Sequence, residues 1–301
     1  MREKPALRPD IAIGRALTDV AQGVLKETRA PLSDRTMMDA EVVHDVRKAL
    51  KRWRALLRLL EPFLPVGAGR ELRIAARDLA RGLAQARDPR SVLDALEDLT
   101  EANPGLSQRS LESIRKRVDR LRVSAETAIL TDEARARLST EFAAIEETIA
   151  AWSLDRLKFD DVADSLTKTY HRARRAVPDD WQIATVEELH DLRKRVVEHR
   201  YQMELIEPLW PKLGRVWVGE AQRLRDRLGC YHDLDMLSRL TRPNKRLGMS
   251  QARLLPLVRE RQREHLRVAA RLAGRLFAEK PNAFRSRLMR LWESRATAMA
   301  D

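Results

Sequence analysis

Three His-Asp dipeptides come nearest to a hydrolytic metal site in this sequence: His44-Asp45, His190-Asp191 and His232-Asp233. A metal-dependent phosphohydrolase combines such a pair with further His and Asp ligands. Neighbouring residues on a helix point about 100° apart, so one helical dipeptide cannot chelate an ion without help. Arg-Lys follows two of the dipeptides, and these cations would repel a metal. We therefore predict no catalytic residue and no metal site, with metal-dependent phosphohydrolysis as the weaker alternative.

Basic residues follow two of these dipeptides at helical spacing. In segment 36–61 they form an arc opposite the apolar face that contains Trp53, and segments 158–176 and 185–207 carry similar arcs. Like charges four residues apart destabilise an isolated helix, and a bound polyanion would offset that cost. The alternative is a solvated face with scattered acidic partners. The residues predicted to bind an anion are His44, Arg47, Lys48, Lys51, Arg58, Arg73, Arg77, Lys168, Arg172, Arg175, His190, Arg193, Lys194, Arg223 and Arg227.

The histidines of these segments allow two interpretations. His44 and His190 each begin a basic arc, where neighbouring cations should lower the imidazole pKa. Each would then either donate a hydrogen bond to a phosphate or simply pack against the next helix. His199 falls on the apolar face of its helix and is predicted to be structural. Asp88 and Asp233 are interpreted as helix N-caps.

Composition bounds the class of protein. The chain has 301 residues, a formal net charge of +13 and 44% hydrophobic residues, which suffice for a sizeable core. No apolar stretch is long enough to span a membrane, and no signal peptide is recognised. The single cysteine, Cys230, excludes a disulfide scaffold and fits a cytoplasmic location. The positive charge indicates an anionic partner, while six Trp, three Tyr and five Phe provide few stacking platforms for single-stranded nucleic acid.

The residue pattern predicts an all-α fold of packed bundles. Leu, Ala, Arg and Glu dominate, and strand and hairpin signals are missing. Proline and glycine mark the breaks between helices, as in Asn103-Pro104-Gly105. The predicted helices are 11–30, 36–61, 70–87, 90–101, 108–129, 132–152, 158–176, 185–207, 214–228, 234–241, 251–279 and 284–299.

An internal repeat divides the chain near its middle. Val43-His44-Asp45-Val46-Arg47-Lys48, which leads to Glu61-Pro62, recurs 146 residues later as Leu189-His190-Asp191-Leu192-Arg193-Lys194, which leads to Glu207-Pro208. Ala86-Arg87-Asp88 recurs as Tyr231-His232-Asp233. A repeat of this length indicates duplication of a bundle and not a solenoid. We predict two four-helix bundles related by a pseudo-twofold axis, covering residues 1–150 and 151–301.

These motifs together resemble the CHAD family, named for a histidine-bearing α-helical domain. The further residues that carry the resemblance are Lys51-Arg52, Tyr170 to Arg175, and Leu228-Gly229 through His232-Asp233-Leu234-Asp235. It covers about residues 8–300 and implies paired bundles whose basic residues line a central groove or pore. Family members bind inorganic polyphosphate, associate with polyphosphate granules and are not known catalysts. The resemblance implies that His44, Arg47, Lys48, Lys51, His190, Arg193 and Lys194 face the polyanion, joined by Lys168, Arg172 and Arg175.

The leading hypothesis is therefore non-catalytic polyphosphate binding without a cofactor, in the cytoplasm and at polyphosphate granules. A sulfate or phosphate ion is expected at the site in crystals. The alternatives are a nucleic-acid or ribonucleoprotein binder, which the charge also fits, and an inert helical scaffold. Two features depart from the family pattern or thin the charge: Asp88-Pro89-Arg90 replaces an Asp-Leu-Asp, and Val197 and Glu204 stand where the first copy has Lys51 and Arg58.

Overall fold

The computed structural model describes residues 6–7, 10–83, 89–106, 112, 115–116, 130–240 and 248–297. Their regular secondary structure is helical, and none of the described residues forms a strand, which confirms the predicted all-α class. No helix in this part of the chain is long and apolar enough to cross a membrane. The helices, with short 3-10 turns at Glu61–Phe63 and Glu207–Leu209, are α1 (Ile13–Ser33), α2 (Asp39–Leu60), α3 (Ala68–Gly82), α4 (Pro89–Ala102), α5 (Asp132–Ala150), α6 (Phe159–Arg175), α7 (Val186–Ile206), α8 (Pro211–Leu240), α9 (Gly248–Leu276) and α10 (Pro281–Thr297).

Helix α8 corrects one predicted boundary. The sequence pattern predicts a break in the helix between residues 228 and 234, with Asp233 as an N-cap, yet α8 continues from Pro211 to Leu240 without interruption. The physical reason is the residue that follows the aspartate. In the first copy this residue is Pro89, which begins a new helix. In the second copy it is Leu234, whose backbone N–H continues the helical hydrogen bonding that a proline would interrupt. The N-cap predicted at Asp88 and most of the predicted helix 108–129 lie outside the described residues.

A continuous hydrophobic core joins both halves of the sequence. The buried faces of α1, α2, α5, α6, α7 and α10 contribute to one cluster that extends from Leu7 to Leu288. At its centre Trp53 of α2 is fully buried, and its ring stacks parallel to that of Trp152 at 6.1 Å between centroids. α2 contacts α1, α3, α6 and α7. α2 of the first half thus packs against α6 and α7 of the second half. The division of the chain into two bundles at residue 150 stays a prediction.

A smaller core holds α4 against α8 and α9. Leu96 and Leu99 of α4 meet apolar side chains of the two longer helices. A polar network borders this core, in which Asp98 accepts two hydrogen bonds from the Arg261 guanidinium and lies 2.9 Å from Nε2 of the buried His265. These contacts hold the Asp98 pKa well below its usual range, with hydrogen bonds outweighing the opposing effect of burial.

Helices α2 and α7 cross with reciprocal ion pairs. Arg52 of α2 contacts Glu204 of α7 at 3.1 Å, and Arg58 of α2 contacts Glu198 of α7 at 3.0 Å. Positions 52 and 198 are 146 residues apart, and so are positions 58 and 204. Two elements related by an approximate twofold axis make contacts of this reciprocal kind. These contacts between α2 and α7 therefore fit the duplication that the repeat predicts. Glu204 stands at the repeat position of Arg58, and its carboxylate forms an ion pair with Arg52.

His199 is buried in an aromatic environment, which confirms its predicted core position. Its side chain is 0% exposed and its ring lies 5.6 Å from that of Tyr170, with Phe277 and Trp217 close by. Within the described residues neither ring nitrogen has a hydrogen-bond partner. Burial, with a smaller effect of Arg287, lowers the His199 pKa to about 3. The imidazole is thus neutral at pH 7 and packs as the tryptophan does at position 53.

Candidate anion-binding surface

A row of cations runs along the side of α2 that the core leaves uncovered. Arg47, Lys51, Arg54 and Arg58 follow one another at intervals of four, three and four residues, the spacing that keeps side chains on one face of a helix. Lys51 and Arg54 are exposed, and Arg47 and Arg58 are half-buried. Burial of the apolar face of α2 in the core fixes the direction in which this row projects.

Cations of α7 and α8 surround the middle of this row. Burial lowers the pKa of Lys51 to about 8, and repulsion from Arg225, Arg193, Arg47 and Arg200 adds to the effect. The Lys51 side chain still reaches solvent, so the surrounding protein removes part of its hydration without enclosing it. Helices from both halves of the sequence therefore bring like charges together around one ammonium group.

The C-terminal part of the row approaches α3 and α6. Burial lowers the pKa of Arg54, and Arg73 and Arg77 of α3 lower it further. Burial also lowers the pKa of Arg58, with repulsion from Arg73 and from Arg172 of α6. Glu198 acts against these effects at both groups. We call the whole set the cationic surface: Arg47, Lys51, Arg54, Arg58, Arg73, Arg77, Arg172, Arg193, Arg200 and Arg225.

A pocket of 240 Å³ opens at the Arg58 end of the cationic surface. It lies between the end of α2, the 3-10 turn that follows, and α6. Ser165 in its wall is fixed by a hydrogen bond that its hydroxyl donates to the Leu59 carbonyl oxygen at 2.7 Å. We call it the end pocket, and its lining residues are Arg58, Glu61, Pro62, Ser165, Lys168, Thr169 and Arg172.

Two histidines lie beside the cationic surface at Arg193. The rings of His190 on α7 and His232 on α8 stack at 5.2 Å between centroids. Burial lowers the pKa of His190, with Lys194 as the next cause, and burial with Arg193 lowers that of His232. The pKa shift predicted for His190 thus has the expected direction, but burial and not the cations is its main cause. Nδ1 of both rings is buried without a partner in the described part of the chain.

Several predicted anion-binding residues lie elsewhere. Arg223 forms an ion pair with Glu220, which also contacts Arg275 of α9. The Arg227 guanidinium lies 3.3 Å from Nδ1 of His265, at the small core. Both side chains therefore extend toward α9 and away from the cationic surface. The remaining predicted residues, His44, Lys48, Lys168, Arg175 and Lys194, are exposed, with Lys168 in the end pocket and Lys194 beside His190.

Three members of the cationic surface were not predicted from the sequence. Arg54 lies three residues after Lys51, and helical spacing could have identified it. Arg200 is 146 residues after Arg54, so the repeat carried a signal for it. Its guanidinium lies over the Tyr201 ring at 4.1 Å and pairs with Glu204 at 2.6 Å, which hold it in place. Arg225 has no cationic counterpart in the first copy, because Ala80 occupies the equivalent position at the offset of 145 that relates α8 to the first copy.

The arrangement can bind anions through several separate guanidinium and ammonium groups. Arginine grips phosphate oxygens with two parallel hydrogen bonds, and lysine adds a mobile point charge. Among the described residues, no group of three or more His, Cys, Asp and Glu side chains is arranged to hold a metal ion. The cationic surface itself offers recognition of negative charge that is spread over a distance.

The fold is all-α, and helices that are distant in the sequence share one cationic surface. The chain belongs to the CHAD domain family, whose model matches residues 18–242. It is similar in fold to a CHAD domain from the plant Ricinus communis, with a TM-score of 0.56, 20% identity, and 95% of each chain covered. It is also similar to PptA from Streptomyces chartreusis, with a TM-score of 0.61, 18% identity, and 88% and 99% covered. No curated protein matches the sequence.

Proposed function

We propose that this protein binds inorganic polyphosphate along its cationic surface without cleaving it, and that it associates through this surface with polyphosphate granules. The observation that carries the proposal is the convergence of Arg193, Arg200 and Arg225 on Lys51 of α2. Such a concentration of like charge is unfavourable in the free protein and becomes favourable when a polyanion lies across it. Membership of the CHAD family supports the same conclusion.

Polyphosphate suits this surface because each unit of the chain carries a negative charge and no bulky group. Successive phosphates can contact α7 and α8, then α2, and finally α3 and α6. Release of counterions condensed on the chain adds a favourable term that weakens as salt increases, as it does for nucleic acids. A thin chain can approach closely spaced arginines that the sugars and bases of a nucleic acid would hold at a greater distance.

Competition between polyanions tests the proposal. Long-chain polyphosphate should bind the protein at physiological salt, and duplex DNA or RNA at equal phosphate concentration should fail to displace it. The measurement is fluorescence anisotropy of end-labelled polyphosphate. Displacement by nucleic acid would overturn the proposal in favour of a nucleic-acid binder, and release of orthophosphate on addition of Mg²⁺ or Mn²⁺ would overturn its non-catalytic part.

The pKa of Lys51 predicts a pH dependence of binding. A lysine with a pKa of about 8 is mostly neutral at pH 9, and a bound phosphate chain raises the pKa toward its ordinary value. Affinity should therefore fall by about tenfold for each unit of pH above 8 until the pKa of the complex is reached. Lys51→Arg should remove this dependence, because arginine stays charged. Titrations of polyphosphate binding from pH 7 to pH 9.5 provide the measurement.

Lys48→Arg is the matched control for this experiment. It makes the same exchange one turn earlier on α2 and leaves Lys51 in place, so it should retain the pH dependence of the wild-type protein. If Lys51→Arg binds with the same pH profile as the wild type, Lys51 does not contact the chain.

A further inference from the structure

We propose that the end pocket binds the terminal phosphate group of a polyphosphate chain, so that the protein recognises chain ends as well as chain length. This inference rests on the proposed function and adds a specific site to it. The pocket continues the cationic surface through Arg58 and Arg172, whose charges repel each other. A chain that follows α2 toward its C-terminus therefore meets this pocket last.

The 3-10 turn after α2 forms the end of the cationic surface at the pocket. Glu61 and Pro62, which begin the 3-10 turn, form one wall of the pocket. The Glu61 carboxylate is held by Arg73 at 2.6 Å and lies 3.6 Å from Arg58. The negative charge that Glu61 places in this wall disfavours a further phosphate on that side of Arg58. The pocket can thus receive a chain end more readily than it can pass the chain onward.

Charge in the pocket matches a terminal group better than an internal one. Arg58, Lys168 and Arg172 line it with three positive charges against the one of Glu61, an excess of two. The ion-pair partners outside the lining, Arg73 and Glu198, cancel each other. A terminal phosphate, like a phosphate monoester, carries about −1.5 to −2 at neutral pH, whereas an internal group carries about half of that.

Two of these cations are available to a ligand. Lys168 and Arg172 are exposed, and within the described residues neither side chain forms an ion pair or a hydrogen bond. The volume of 240 Å³ is below the usual range of about 300–1,000 Å³ for sites of drug-sized ligands, and is several times the ~30 Å³ share of a water molecule. The pocket therefore has the size for a small anionic group.

The corresponding positions in the other half do not repeat this charge. The residues 146 positions away from Arg58, Lys168 and Arg172 are Glu204, Gln22 and Lys26. Ser165, which lines the pocket, is likewise matched by Asp19. The other half therefore has one cation, Lys26, where the pocket has three, and it has two carboxylates, those of Glu204 and Asp19. If the protein needed positive charge only in general, both copies of the repeat would be expected to carry these cations. A single site for a chain end explains why only one copy carries them.

Tripolyphosphate with free ends and tripolyphosphate whose ends are capped as methyl phosphoramidates provide the test, since capping removes a charge from each end. Isothermal titration calorimetry of the full chain should show about tenfold tighter binding of the free form by the wild type, the contribution of one charge-assisted hydrogen bond. The double variant Lys168→Gln and Arg172→Gln should bind both forms alike. Its helicity and melting temperature should match those of the wild type, because both side chains are exposed.

The charge-matched control replaces Arg15 and Lys26 of α1 by glutamine, which removes the same two charges away from the pocket and should preserve the preference for free ends. A wild-type protein that binds long chains but treats free and capped tripolyphosphate alike overturns this inference and leaves the proposed function standing. Displacement by orthophosphate at equal concentration also overturns it, since the pocket then holds a free phosphate. A protein that binds no polyphosphate overturns the inference together with the proposed function.

Discussion

Neutralising the centre of the cationic surface should weaken binding of long-chain polyphosphate by at least about a thousandfold at physiological salt, since three charge-assisted contacts of roughly 1.5–3 kcal/mol each are lost. The variant combines Lys51→Gln, Arg193→Gln and Arg225→Gln, one residue from each of three helices. These side chains lie close enough to repel one another, so a phosphate chain bound at one of them is near all three.

The salt dependence should change together with the affinity. Each phosphate contact on a single strand contributes about −0.7 to the slope of log affinity against log salt concentration, so the triple variant should lose about two from that slope. A smaller affinity with an unchanged slope would show that the three residues act on the fold and not on the phosphates. Binding isotherms between 50 and 300 mM salt are sufficient for this comparison.

Stability and charge-matched controls separate binding from folding. The triple variant removes mutually repelling charges and also the ion pair of Arg225 with Asp226 at 2.6 Å, so its melting temperature should change little. A second triple variant, with glutamine at Arg15, Lys26 and Arg137, loses the same charge from exposed positions on α1 and α5. It should retain most of the wild-type affinity. Equal loss in both variants would mean that net charge alone determines binding, contrary to our proposal.

His199 should make the protein sensitive to acid. Its pKa is about 3 in the folded protein, below the ordinary value of about 6.5 that applies to the unfolded chain. Between these values the unfolded chain binds a proton that the folded protein does not, so stability is present above pH 6.5 and is lost as the pH falls. The expected loss from this residue is about 1.4 kcal/mol for each pH unit between pH 6 and pH 4.

Replacing His199 by phenylalanine should remove this contribution. The substitution keeps an aromatic ring among Tyr170, Phe277 and Trp217 and removes two buried nitrogens that have no partner in the described part of the chain. Stability at pH 7 should rise by about 1–3 kcal/mol, because a buried polar group without a partner costs that amount. Urea denaturation at several pH values between 4 and 7 measures both effects.

The exposed His171 provides the control for this comparison. It lies on α6 next to Tyr170, and its replacement by phenylalanine should leave the wild-type slope of stability against pH. Carboxylates contribute to the same slope in every variant, so the difference between His199→Phe and the wild type isolates the histidine. A slope that is identical in these two proteins would show that His199 is protonated in the folded state.

The sequence alone determined the features that depend on local periodicity. Apolar residues at helical spacing established the all-α class, the direction of the α2 basic row and the burial of His199. The family resemblance also came from short motifs and is confirmed by the match over residues 18–242. These features can be predicted from the sequence because side chains three and four residues apart share a helix face wherever the helix lies.

Only the tertiary structure decided which cations meet. Arg223, Arg225 and Arg227 share one helix and look alike in sequence, yet only Arg225 faces Lys51, because the packing of α8 against α7 and α9 sets its rotation. The continuity of α8 and the closure of the end pocket by Glu61 likewise depend on contacts between residues far apart in the chain. Sequence periodicity determines which side chains share one face of a helix. Which other helix that face meets depends on how all the helices pack in the core.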